Sequence, residues 1–549
     1  MSDDNVHFAI PALVDQWERR SISRREFLRT ATLLGMSAAA AYRIVGLSPA
    51  ALAAAQALPQ GGTVRIAHPI KDVSNPQALN WFQFADLTFP VVQTLTRIGA
   101  DNVTRPHLAA SWGTSPDLRS WTIKLRPNAK WRKGRPFTVD DVIWNIKRLI
   151  DPATGSVSLG LMQPYLLNVS ETDGKKKVEL WDANAVEKVD DHTFKLNLKI
   201  PQVTIPEDLF TYTSVMLDPE ENGAFGIGAN GTGPFEMAEF EVSKRAVYRK
   251  WPGYWGTPAN LDVVEFIDFG DDPNAAIAAL ASRQVDGLYQ VAQDLLPAVK
   301  NMEHVKVYSA STANNATLQL DCTQKPWSDP RVRLAMRLAV DPKKQVELAV
   351  RGLGTPGEHH HAAPVHPDYS PLPPLGPDPA KAKQLLADAG YADGITADAY
   401  VSSNLPWTVA SLEGMADEYR AIGVNLNVKT IPGSQFWEMW GKVPVIYSDW
   451  SHRPLAIQMY ALVYRTGVDW NTPKWSNAEF DKLLDEASSI IDPVERRKVV
   501  AKLEQILQQD GPMVQPIWLD VQTAYDKRVL NFTLHPALCI FPEELALSA

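Results

Sequence analysis

The chain has 549 residues, too many for one ordinary core, so two or three domains are expected. Apolar residues make up 45% and charged residues 21%, the balance of a globular protein. A net charge of −9 without a basic stripe argues against a nucleic-acid partner, and no apolar run reaches the length of a membrane span. The two cysteines, Cys322 and Cys539, lack metal-ligand spacing, and a disulfide between them is left open. The 17 tryptophans suit core packing and also the walls of a ligand cleft.

In chain order, Ser23-Arg24-Arg25-Glu26-Phe27-Leu28-Arg29 is similar to a twin-arginine export motif. A weakly apolar, Ala-rich stretch follows from Thr30 to Tyr42, interrupted by Arg43, and small residues at 52–57 form a cleavage region. Residues 1–57 are therefore expected to be a removable signal peptide, and the mature protein is expected in the periplasm. The alternative is a short amphipathic helix with a chance arginine pair.

Gly61-Gly62 leads into a first strand, and Phe89 to Ile98 reads as helical. Trp121 to Leu125 alternates apolar and polar residues, the pattern of a half-buried strand. Thr138 sits at a helix N-cap with Asp141 three residues on, close to a capping box. Val139, Val142, Ile143, Ile146 and Leu149 follow at helical spacing until Asp151-Pro152 stops them. Residues 193–200 and Leu261–Asp268 read as further strands. Asp272-Pro273, Asp329-Pro330, Asp341-Pro342 and Asp378-Pro379 each place Asp at the N-cap and Pro at the first helical position. Residues 364–379 form a Pro-rich loop.

Several of these stretches carry a family resemblance. The ordered string Pro106-x-Leu-Ala-x-Ser-Trp112, Ser115-Pro116-Asp117, Trp121 to Leu125 and Gly134-x-Pro-Phe-Thr-x-Asp-Asp-Val142 resembles the extracytoplasmic solute-binding proteins of peptide-type ABC importers. So do Gly231-Thr232-Gly233-Pro234-Phe235 and the aromatic run Trp251 to Trp255. The resemblance implies an α/β, two-lobed periplasmic binding protein (class II, cluster C type) with an extra domain on lobe I. It implies lobe I from residues 58–95, 228–315 and 512–549, the additional domain at 96–227 and lobe II at 316–511. Hinge closure around a ligand would use crossovers near 310–320 and 510–515. The implied partners are a small-molecule or peptide ligand and a permease/ATPase complex of an ABC transporter in the inner membrane, served by a monomer with no cofactor and no enzymatic activity.

In peptide-binding relatives a Trp is followed three residues later by an Asp that holds the peptide ammonium. Here Trp450 is followed by Arg453, which reverses the charge at that position. A guanidinium fork matches a carboxylate or phosphate, so an anionic, opine-like solute is expected as well as a peptide. The alternative is that Asp449 or Asp469 neutralises Arg453. Ser451, His452, Trp437 and Asn471 join Arg453 and Trp450 as ligand-binding candidates, and the resemblance adds His68, in a loop that faces the cleft of the family. Most of the tryptophans are expected to be lobe core. His359, His360 and His361 follow Gly357-Glu358 and suggest a metal or nickel-chelate site. Consecutive histidines do not give the i,i+4 pair of a helical metal site, so an exposed loop is the expectation and no metal is assigned. A metal-dependent or hydrolytic exported enzyme is the remaining alternative, although no His-Glu-x-x-His or Gly-x-Ser-x-Gly occurs.

Overall fold

A computed structural model describes residues 7–46, 58–172 and 175–548. Strands and helices mix throughout, in two compact units. The first comprises residues 1–309, 488–493 and 522–549; the second comprises 310–487 and 494–521. The chain therefore passes between them four times.

In the first unit, strand Thr63–Ala67 runs parallel to Val263–Ile267 and to Gly287–Leu288. Val263–Ile267 continues antiparallel into Arg245–Lys250 and Phe235–Glu241. A separate antiparallel sheet joins Ala109–Thr114, Ser120–Leu125, Thr193–Asn197 and Val186–Asp190. Trp121, Ile123 and Leu125 are buried and the residues between them are not, as the alternation requires. Helix Val139–Leu149 starts as expected: the Asp141 carboxylate accepts from the Thr138 N–H at 2.8 Å and from Arg135 at 2.7 Å.

The segment read as a helix from Phe89 to Ile98 is instead a run of turns ending in strand Thr96–Ile98. Its carbonyls are claimed from outside: Gly233 N–H donates to Val91 O and Phe235 N–H to Pro90 O. The Gly-Thr-Gly turn exists for this contact. A Cβ on Gly231 would lie 1.9 Å from Val91 O, and one on Gly233 2.4 Å from Pro90 O. The Ala-rich stretch after the arginine pair is likewise broken, into helices Arg24–Leu33 and Ala38–Ile44. Residues 52–57, the expected cleavage region, lie outside the described residues.

In the second unit, Ile395–Ser402 pairs in parallel with both Val424–Ile431 and Val445–Trp450, and the latter pairs antiparallel with Val305–Leu320. Helices begin at the expected aspartates: the Asp329, Asp341 and Asp378 side chains accept from the N–H groups of Arg331, Lys343 and Lys381. Residues 364–379 are the expected loop, broken only by the first turn of helix Pro379–Asp388. Cys322 and Cys539 are both free thiols.

Candidate functional site

Six of the seven candidate ligand residues fall in the second unit, at or near the end of strand Val445–Trp450. The apolar and aromatic Val-Ile-Tyr run suits a strand buried on both faces. Register and pleat then decide the faces. Trp450, Ser448 and Ile446 stand opposite Asn315, Thr317 and Gln319. Tyr447 and Asp449 project from the other face, where Tyr447 shares a hydrogen bond with Ser411 at 2.9 Å.

The polar stripe Asn315-x-Thr317-x-Gln319 is buried, and each member holds a neighbour. The Trp450 indole N–H donates to Thr317 Oγ1 at 2.8 Å, His361 Nε2 meets Asn315 Oδ1 at 2.9 Å, and Gln319 bonds Thr472. Aromatic rings cover this face. Trp440 sits 6.1 Å from Trp450, 5.8 Å from Trp470 and 5.9 Å from Trp437, all tilted or edge-on. Trp437 ends the row and is 38% exposed.

Beyond Trp450 the chain is fixed from behind. Asn314 Oδ1 accepts from the His452 N–H at 2.8 Å, and His452 Nδ1 accepts from the Ala313 N–H at 3.1 Å. His366 Nδ1 accepts from the Ala363 N–H, so its proton is on Nε2, which donates to Arg453 O at 2.9 Å. Arg453 itself is 7% exposed. Asp449 forms no ion pair among the described residues, and burial pushes its carboxyl up to about 6. The neutralising pair Arg453–Asp449 is therefore not formed.

The histidine loop is buried, not exposed: His359, His360 and His361 are 3%, 0% and 1% accessible. Gly357 makes this work, since its N–H donates to Pro516 O and a Cβ there would lie 2.3 Å from Gln515 O. His359 Nδ1 accepts from the Gln515 N–H and His360 Nδ1 from the Ala362 N–H. Burial lowers all three imidazoles to about 3, so they stay neutral. No group of three or more His, Cys, Asp or Glu side chains is arranged to hold a metal ion among the described residues. With His366, the loop acts as a rear support for the Trp450–Arg453 segment. Sequence reading missed that role. Its one signal was the polar alternation Asn315-x-Thr317-x-Gln319.

Asn471 adjoins Trp470 but spends its amide on the loop, donating to Trp475 O at 2.7 Å and accepting from the Trp475 N–H at 3.1 Å. His68 lies in the first unit and is 2% exposed. Its Nδ1 donates to Pro69 O at 2.7 Å and its Nε2 lies 3.4 Å from Asp86, a carboxyl that burial pushes up.

Comparison with known proteins agrees with this architecture. The family model for bacterial extracellular solute-binding proteins, family 5 (middle region), matches residues 103–471. The glutathione-binding protein GsiB of Escherichia coli (strain K12) is 24% identical over 449 residues, covering 78% of this chain and 83% of its own. Among solved structures, the PBP AgaA in complex with agropinic acid from A. tumefacien R10 superposes with a TM-score of 0.77 at 22% identity, over 89% of this chain and 99% of that one. The ABC transporter-associated periplasmic binding protein DppA from Helicobacter pylori, in complex with the peptide STSA, gives 0.75 at 18% identity, over 89% and 98%. The chain belongs to the bacterial extracellular solute-binding proteins, family 5.

Proposed function

We propose that this chain is the substrate-binding subunit of an ABC importer, which captures a peptide or a peptide-like, anionic solute and delivers it to a membrane permease coupled to an ATPase. Residues 1–57 direct its export, and the mature protein works in the periplasm. The observation that carries the ligand class is Arg453. A guanidinium stands three residues after Trp450, on a backbone pinned by His366 and Asn314, beside a row of tryptophans. A buried cation held this way favours a carboxylate on the ligand, and indole faces accept its apolar or ring portions. Trp450, Trp437, Ser451 and His452 flank that grip, whereas Asn471 and His68 serve the scaffold. The likeness to proteins whose named ligands are glutathione and agropinic acid supports an acidic ligand of modest size.

The test is a thermal-shift screen with dipeptides, glutathione, opine-like acids and sugars, repeated on Arg453→Ala. A ligand at a hundredfold its Kd stabilises by about 2.7 kcal/mol. An acid that shifts the wild type and not the variant supports the reading. Neutral peptides that shift both alike would assign Arg453 to structure and leave an ordinary peptide-binding protein.

A further inference from the structure

The segment read as an export signal is built into the first unit. Helices Ile10–Glu18, Arg24–Leu33 and Ala38–Ile44 all lie there. On the middle helix Phe27 and Ala31 are 0% exposed and Arg29 is 3% exposed. The contacts to the body are specific. Trp112 Nε1–H donates to Leu33 O at 2.8 Å. The Tyr42 hydroxyl donates to Asp101 at 2.8 Å and accepts from Arg105 at 2.6 Å. Gln16 donates to Asp492 at 2.5 Å.

Two features go beyond apolar adhesion. Gly35 follows the middle helix with φ +88, and a Cβ there would lie 2.2 Å from Trp112 O, so only glycine lets the two backbones meet. Arg29 is a buried cation, which is costly unless an anion waits where it lands. The body supplies Glu207, itself 2% exposed and bonded to Thr104 Oγ1 at 2.9 Å. Burial pushes that carboxyl up to about 7, and the Arg29 charge pulls against the shift. The leader's backbone and polar groups therefore meet fitted partners on the body.

We propose that the N-terminal segment is a latch: the face of the first unit built from Trp112, Thr104, Glu207 and Asp101 receives an arginine-bearing pair of helices, and in the uncleaved chain its occupant is the chain's own Arg24–Ile44. The latch hides Phe27 and Leu28 of the export motif and leaves Ser23 and Arg24 outside. The receiving face exists only once residues 101–112 and 204–208 have folded. The balance between docked and released leader then sets how much precursor offers its complete motif, because a minor state reduces apparent affinity by its population. The export half of this proposal rests on the signal-peptide reading above; the docking half does not.

The experiment uses the full-length, uncleaved chain and two variants on the receiving face, Glu207→Gln and Trp112→Phe, which leave residues 1–57 untouched. Amide hydrogen exchange over residues 24–44 should be slow in the wild type. It should quicken by about tenfold in Trp112→Phe, the scale of one lost buried hydrogen bond, and quicken also in Glu207→Gln, which removes the carboxyl that Arg29 acts on, while strand Val305–Leu320 is unchanged. In cells, the variants' precursors should be processed faster than the wild type. Exchange at free-peptide rates in the wild type, or no change in either variant, overturns the latch. Released exchange with unaltered or slower processing overturns the masking. If no form is exported, the signal reading fails, and exchange still decides the docking.

Discussion

Replacing His366 with alanine tests whether the histidine loop supports the candidate anchor. The imidazole makes two buried bonds, donating to Arg453 O and accepting from Ala363 N–H, each at 2.9 Å. His366 is 5% exposed, so water is not at hand to replace them. Leaving a buried carbonyl and a buried N–H unsatisfied costs about 1–3 kcal/mol each, and the lost ring volume about 1 more. The expected loss is about 3–7 kcal/mol in the second unit. For a unit of roughly 200 residues each kcal/mol lowers the melting temperature by about 2–4 °C. Chemical denaturation followed by tryptophan emission reads this directly, since Trp450 lies in the same unit. Any ligand found for the wild type should also bind more weakly, because the backbone carrying Arg453 is loosened. A loss under about 1 kcal/mol with unchanged ligand affinity would refute the reasoning.

Acid should destabilise the second unit. The folded His359, His360 and His361 are held down to about 3. Their contribution is present above the unfolded value near 6.5 and is lost as pH falls from there toward 3, about 2 kcal/mol per histidine by pH 5, measurable by denaturation across pH. Glu504 behaves oppositely: burial pushes it up to about 9, so its protonated form is the stable one and stability falls as pH rises from about 4.5 to 9. Glu504→Gln should therefore stabilise by a few kcal/mol at pH 7, with little gain at pH 4. Trp450→Phe removes the donor to Thr317 Oγ1 and should cost about 1–2 kcal/mol, with ligand affinity reporting any stacking role separately. Gly231→Ala drives a Cβ into Val91 O and should cost about 3 kcal/mol or more, or prevent folding, as judged by soluble yield and melting temperature.

Much of the fold was legible because its signals are local. Asp-Pro pairs cap helices through contacts two or three residues away, and alternation in 121–125 needs only one buried face. The misreadings share one cause. Phe89–Ile98 has helical spacing, yet its carbonyls are taken by Gly233 and Phe235, far along the chain. The histidine loop looks polar, yet Gly357 lets it press against Gln515 and Pro516. A polar residue whose partner is a distant backbone group carries no mark of that partner in its own neighbourhood. The site was half legible for the same reason: Trp450 and Arg453 follow a linear pattern, whereas the residues that hold them, Asn314, Asn315 and His366, are brought in by strand register and a long loop.

Asn314, His452 and His366 hold the backbone of His452 and Arg453, and the Arg453 guanidinium itself donates to His452 O at 3.4 Å. The bonds from Asn314 and His366 come from other side chains, so a substitution at Arg453 leaves those two supports in place. On the proposed function, a guanidinium there selects an anion, and a carboxylate in its place would select an ammonium. On that same proposal, His366→Ala should impair binding of every ligand, whereas Arg453→Asp should move preference from acids toward amines, read by thermal shift with each ligand class.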